Sequence, residues 1–139
     1  MMATTWFALF AIAFSQPMPS IQLSPGEVIR TVAAALQNND SPLRNAGVFT
    51  AYQFASPGNR EVTGPYGRFL RIVRSEDSRP LFGIYPEEFG PLTVNGSEAQ
   101  QDLRVQTPTG PVNFRFTLSR QKAGPCPGCW MIDGVVRVR

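Results

Sequence analysis

The most reactive grouping in this chain is Cys126-Pro127-Gly128-Cys129. Two thiols at this spacing match the thioredoxin-type redox pair, in which a helix N-terminus lowers one thiol pKa. Here Gln121-Lys122-Ala123-Gly124-Pro125 precedes the pair and a strand pattern follows it, so the activating helix is missing. Proline and glycine between the cysteines specify a tight turn. In an oxidising compartment Cys126 and Cys129 would form a small-loop disulfide stapling a hairpin. The alternatives are free structural thiols or a redox pair. The next reactive groups are carboxylates and phenols, because the chain contains no histidine.

That absence excludes both Ser-His-Asp and Cys-His catalysis, which need an imidazole titrating near neutral pH. Histidine-based zinc sites fall with it. The two cysteines cannot complete a four-thiolate zinc site or hold an iron–sulfur cluster within one chain. A metal would have to be a hard cation on carboxylates. The ten acidic residues are scattered, with no D-x-[DN]-x-[DN]-G loop. We therefore expect no metal and no cofactor.

The formal charge is +3, with 13 cationic residues, of which only Lys122 is lysine. Arg68, Arg71 and Arg74, with Arg79 nearby, form the densest group, and Glu76 and Asp77 interrupt it. A nucleic-acid reader would show a strong basic stripe or a recognisable module. A solvated helix face is the simpler account, and no nucleic-acid partner is expected. The hydrophobic fraction of 42%, with ten phenylalanines, supports a packed core rather than disorder.

The length of 139 residues allows one domain of ordinary size. The elements that must position these groups change character along it. Ser24-Pro25-Gly26-Glu27 is a helix start, with a capping serine, a proline at the first helical position and a capping-box glutamate. Val28, Ile29, Val32, Ala33 and Leu36 then form one apolar stripe, and Asn38-Asn39-Asp40 ends it. Ser41-Pro42 predicts a second helix over 43–55, with Val48, Tyr52 and Ala55 facing inward. Ser56-Pro57-Gly58-Asn59 reads as a turn, and Thr63-Gly64-Pro65 opens a third helix holding Phe69, Leu70, Ile72 and Val73.

Pro80 and Pro86 punctuate an irregular or edge-strand stretch. From there the period becomes two. Leu92 and Val94 precede Asn95-Gly96, a hairpin signal. Leu103, Val105 and Thr107 alternate with polar residues, as do Val112, Phe114, Phe116 and Leu118 after a turn at Thr109-Gly110-Pro111. The last strand runs from Trp130 to Val138, with Trp130, Ile132, Val136 and Val138 on one face. Helices followed by an antiparallel meander predict an α+β domain.

The first 26 residues carry no side-chain charge, and Trp6 to Phe14 is a nine-residue apolar run. A membrane span needs about twenty apolar residues. The run instead fits the h-region of a secretory signal, with Ala13 and Ser15 as the small residues before a cleavage at Gln16. Met1 to Thr5 has no lysine or arginine, unlike a typical n-region. The alternative is an apolar N-terminal strand or helix docked on the core. The expected organisation is a signal peptide over 1–15, an extended lead-in over 16–23 and one domain over 24–139. No stable membrane span is expected in the mature chain, and the location would be secreted, periplasmic or lumenal.

Several stretches carry a resemblance. These are Leu36-Gln37-Asn38-Asn39-Asp40, Ala51 to Arg60 (AYQFASPGNR), Thr63-Gly64-Pro65 with Arg68-Phe69 and Ile72-Val73, and Gly128 to Val135 (GCWMIDGV). Together they resemble a small bacterial family classed as a domain of unknown function, many of whose members carry secretion signals. The closing Trp-Met-Ile-Asp-Gly-Val is similar to the last strand of nuclear-transport-factor-like (SnoaL-like, cystatin-like) cone folds. The resemblance spans residues 24 to 138. It implies three N-terminal helices on a curved antiparallel sheet of about four strands, with a pocket between them. It does not imply an activity, since such folds host enzymes, binders and dimerisation modules.

Within that frame Asp133 is the candidate catalytic base, with Tyr52 as its phenolic partner, provided burial raises the carboxyl pKa. Asp133-Gly134 also reads as a bulge or turn with the carboxylate in solvent. Tyr52, Tyr66, Phe69 and Trp130 are candidate pocket residues or simply core aromatics, and Tyr85 belongs with them. Asn59 and Arg60, with Thr63, either line a pocket mouth or cap the next helix. The expected function is a non-catalytic, secreted binding module for a small apolar ligand or a protein partner, with a homodimer through the open sheet face as one form. A small cofactorless enzyme using carboxylate and tyrosine is the competing class.

Overall fold

The computed structural model describes residues 16–139. The expected signal segment, with Trp6 to Phe14, Ala13 and Ser15, lies outside the described residues. Four α-helices come first: α1 (Pro25–Gln37), α2 (Ala46–Phe54), α3 (Pro57–Thr63) and α4 (Tyr66–Val73). A 3-10 helix (Glu76–Phe82) leads into five strands: β1 (Glu87–Phe89), β2 (Thr93–Asn95), β3 (Glu98–Thr107), β4 (Gly110–Arg120) and β5 (Trp130–Val138). The chain is therefore α+β, as its patterning predicts. No helix among the described residues is long and apolar enough to cross a membrane.

The strongest sequence signals become the firmest elements. In α1 the Ser24 hydroxyl accepts from the Glu27 amide at 3.2 Å, and Pro25 takes the first turn. The predicted stripe of Val28, Ile29, Val32, Ala33 and Leu36 is buried. The second helix starts later than predicted, at Ala46 instead of Leu43. Asn45 adopts a left-handed conformation at φ 61°, and its own side chain makes no capping bond. A remote side chain caps instead. The buried Asn39 Oδ1 accepts from the Val48 amide at 2.9 Å, while its Nδ2 donates to Asn45 Oδ1 at 3.0 Å. Residues ahead of that cap are held in turns and cannot extend the helix. Gly47 lets α1 and α2 cross closely, because a Cβ there would overlap the Ala35 carbonyl.

Ser56-Pro57-Gly58-Asn59, predicted as a turn, instead begins α3. Ser56 caps it by accepting from the Asn59 amide at 3.2 Å. This is the same serine–proline device that starts α1. It is hidden in the sequence because α3 buries none of its residues and so has no apolar stripe. The helical layer thus holds four α-helices rather than three.

The sheet is antiparallel, in the order β1-β3-β4-β5, with β2 also on β3. β1 and β2 follow one another along the same edge of β3, pairing Leu103–Val105 and Glu98–Gln100 respectively. Pro91 lacks the amide that would continue the ladder between them. There the Gln101 side chain donates to the Gly90 carbonyl at 2.7 Å. β1 is the strand beyond the four predicted. Gly96, at φ 62°, opens the two-residue loop between β2 and β3. Leu103, Val105, Phe114, Phe116 and Leu118 form the inner face, against α1 and α2. The sheet face expected to carry a homodimer contact is polar across β3 and β4, with Gln100, Asp102, Arg104, Asn113, Arg115 and Thr117 on it.

β5 departs from simple alternation. Leu118 pairs with Ile132, but Thr117 pairs with Gly134, so Asp133 is an extra residue in a bulge. One inserted residue reverses the faces beyond it. Trp130 and Ile132 share a face as predicted, and it is the inner one. Past the bulge Val135 and Arg137 face inward, opposite Phe116 and Phe114. Val136 and Val138, predicted to share a face with Trp130 and Ile132, therefore lie on the opposite, outer one, facing Arg115 and Asn113.

Candidate functional site

Five candidate pocket residues meet where α2, α3 and α4 converge. The Tyr52 ring packs edge-on against Tyr66 at 5.3 Å and Phe69 at 5.2 Å. The Arg60 guanidinium lies 4.2 Å above the Tyr52 ring. It also donates to the Tyr52 carbonyl through Nη2 at 2.6 Å and through Nε at 3.2 Å. Arg60 thus supplies charge and donors at the C-terminus of α2, where carbonyls lack helical partners. Burial pushes the Tyr66 phenol above its ordinary pKa. Asn59 Nδ2 donates to the Ile132 carbonyl at 3.1 Å, beside the Ser56 amide at 2.9 Å. The α2–α3 corner thereby seals one point on the free edge of β5, where Ala55 bridges Ile132.

Next to this corner is a cavity of about 110 Å³ between helices and sheet. Val32 and Leu36 of α1, Ala51 of α2, Phe69, Ile72 and Val73 of α4, Leu81, and Ile132 and Val135 of β5 make its apolar lining. Asn59, Thr63 and Ser78 are its polar residues. Two of these are already engaged. Asn59 holds Ile132, and the Thr63 hydroxyl donates to the Asn59 carbonyl at 2.9 Å. Among the candidates, Asn59 and Phe69 line this space. Tyr52, Arg60 and Tyr66 lie in the aromatic seam beside it. Trp130 is apart from it, half-buried near the start of β5, opposite Arg120 and packed on the core.

Asp133 is on the other side of the sheet. The bulge leaves it exposed, with Oδ1 accepting from the Ser119 hydroxyl at 2.9 Å. It borders an open groove of about 400 Å³ with Thr93, Asn95, Glu98, Gln100 and Thr117. Acid–base work by Asp133 and Tyr52 requires the carboxylate in a closed apolar cavity with a phenol in reach. The structure separates the two by the thickness of the sheet, because Asp-Gly here makes the bulge.

Two carboxylates that sequence inspection does not single out have environments of their own. Glu87 pairs with Val105 and so shares the inner face of the edge strand. Its Oε2 is buried without a hydrogen-bond partner, and burial pushes its pKa from 4.5 up to about 7. An inward charge on an edge strand discourages pairing with another sheet edge. Its only trace in the sequence is its place after Pro86 in a short, weakly alternating strand. On the outer face, Arg115 grips Asp102 with two bonds, Nε to Oδ1 at 2.9 Å and Nη2 to Oδ2 at 3.1 Å. These hydrogen bonds hold the Asp102 carboxyl below its ordinary value.

Cys126 and Cys129 are disulfide-bonded, with Cα atoms 5.6 Å apart, in the β4–β5 connection. Cys129 is fully buried, and the loop closes through Gln121 N to Cys129 O at 2.8 Å and Gly128 N to Gln121 O at 2.7 Å. No helix starts at this pair, so the dipole that activates a redox thiol is missing. Such a bond is compatible with an extracellular setting. No protein-family model matches the chain, and a search of curated proteins finds no match either.

Proposed function

We propose that this protein is a non-catalytic, exported binding module that accepts a small apolar ligand, or the apolar side chain of a protein partner, between its helices and its sheet. The cone-type arrangement of nuclear-transport-factor-like folds belongs to the same proposal. The observation that carries it is the 110 Å³ cavity, in whose walls nine apolar residues stand against three polar ones. An apolar cavity of about 150 Å³ stays dry and takes up benzene. The space here therefore suits one ring or a short branched chain, not a drug-sized molecule. Export is supported by the apolar run Trp6 to Phe14 and by the Cys126–Cys129 bond.

The test is a thermal melt and NMR titration with toluene. At a hundredfold excess over its Kd, a ligand of the native state adds about 2.7 kcal/mol, which raises Tm by roughly 10 °C. Shift changes should centre on Val32, Phe69, Ile132 and Val135. Toluene with no effect on either readout would overturn the proposal. Intact mass of the exported protein tests the rest: a chain beginning at Gln16 and lacking two thiol hydrogens is expected.

A further inference from the structure

We propose that the free edge of β5 takes up an extended, acidic segment of a protein partner as an added strand, with one apolar side chain of that segment entering the cavity; this rests on the cavity binding proposed above. β5 ends the order β1-β3-β4-β5, so only one of its edges pairs with β4. On the other edge Ala55 bridges Ile132, and the Ser56 amide donates to the Ile132 carbonyl at 2.9 Å. The chain then turns into α3. Over 134–138 no backbone bond is made from that edge among the described residues. Alternate residues of a strand point their N–H and C=O groups to each edge, so this stretch presents a row of unused donors and acceptors. An added strand satisfies them.

The cavity opens beside the same stretch. Ile72 and Val135, both in its wall, are 42% and 37% exposed, so its mouth lies between α4 and the edge of β5. Side chains of an added strand alternate between the two faces of the sheet. A residue beside Val135 with its side chain on the inner face therefore points at that mouth, and the volume limits it to a ring or a short branched chain. Charge around the edge selects the flanks. Arg137 and Arg68 make no ion pair among the described residues. Arg137 lies two residues past Val135 on β5, turned to a separate open groove with Arg79 and Tyr85. Arg68 stands one turn before Ile72 on α4, on the same helix surface. The acids beside the end of β5, Glu76 and Asp77, are already paired with Arg79 at 3.5 Å and Arg139 at 2.9 Å. Guanidiniums left over on the β5 side and the α4 side of the mouth match carboxylates of a partner. A second copy of this chain would bring its own Arg137 to the seam, and an inward charge on an edge strand opposes such pairing.

The experiment is an NMR titration at low salt with the peptide acetyl-Glu-Thr-Leu-Thr-Asp-Glu-amide. Its controls are a neutral form with Gln and Asn for the acids, a form with serine for leucine, and two forms N-methylated at alternate residues, one for each edge of the peptide. The acidic peptide is expected to shift Ile72 and Val135, to slow exchange of those amides in 134–138 that point away from β4, and to be displaced by toluene. The neutral form, the serine form and one of the N-methylated forms should each bind about tenfold or more weakly. Arg137→Gln and Arg68→Gln should each narrow the gap between acidic and neutral peptides and leave toluene binding unchanged. Equal binding of the acidic and neutral peptides, or undiminished binding of both N-methylated forms, would overturn the inference. So would exchange protection along 134–138 that grows with protein concentration in the absence of peptide, since a second copy would then cover the edge. Toluene binding without peptide binding would overturn it while the cavity reading stands. If neither binds, the cavity reading itself fails.

Discussion

The inner and outer faces of β4 and β5 share one backbone and carry opposite surfaces. On β4 the division follows residue parity: Phe114, Phe116 and Leu118 are sealed, while Asn113, Arg115, Thr117 and Ser119 are not. On β5 the same rule holds to Ile132 and then reverses. Asp133 faces the outer groove and Val135 the inner cavity, with only Gly134 between them. Strand periodicity thus assigns faces only while the register is unbroken. A single bulge reassigned both the candidate catalytic acid and the valine that lines the cavity.

The contrast is sharpest at adjacent residues of β4. Phe116→Ala should cost about 3–5 kcal/mol, whereas Thr117→Ala should change stability by less than about 0.5 kcal/mol. Urea unfolding of both variants measures this, and similar losses would contradict the two-face description. The next effect is at Glu87, the one acid whose carboxyl is turned toward the core side of the edge strand. Its folded pKa is raised to about 7, so its stabilising, protonated form is fully present below 4.5 and is lost as pH rises through 7. Glu87→Gln should therefore leave stability unchanged near pH 4 and raise it by about 1 kcal/mol at pH 8. That figure is discounted because the group is only half-buried. A pH-independent difference between the two proteins would remove the inward placement.

Val135 and Val136 test the bulge itself. Val135→Thr should cost about 1 kcal/mol and weaken toluene binding, while Val136→Thr should cost less than about 0.5 kcal/mol and leave binding intact. The reverse order would restore uninterrupted alternation. The smallest effect is at the Arg115–Asp102 pair on the outer face. Its contribution is present above the ordinary carboxylate range and lost as pH falls through the lowered value of Asp102. Asp102→Asn should lower Tm by less than Phe116→Ala or Val135→Thr, and 1 M salt should abolish the difference.

Where local signals are dense, the chain can be read directly. The Ser24-Pro25 cap, the α1 stripe and the alternation of β3 and β4 each agree with the structure, because cap, period and burial all act over a few residues. α3 was hidden because it has a cap but no buried face. The start of α2 was hidden because its cap is Asn39, on the far side of a turn. The candidate residues Tyr52, Asn59, Arg60, Tyr66 and Phe69 do gather at one corner, though largely as helix-end and aromatic packing rather than as a lining. The facing of Val135 and Val136 was not recognisable, since it depends on the register shift at Asp133.

By itself the sequence determined the α+β class, the position of the main helix and hairpin, the absence of imidazole chemistry and the short spacing that lets Cys126 meet Cys129. These follow from composition and from forces acting within a turn or two of chain. Tertiary structure decided which side of the sheet Asp133 occupies, that Glu87 is turned inward, and that a cavity remains between α4 and β5. Those outcomes depend on how distant elements pack and on where one ladder slips by a residue.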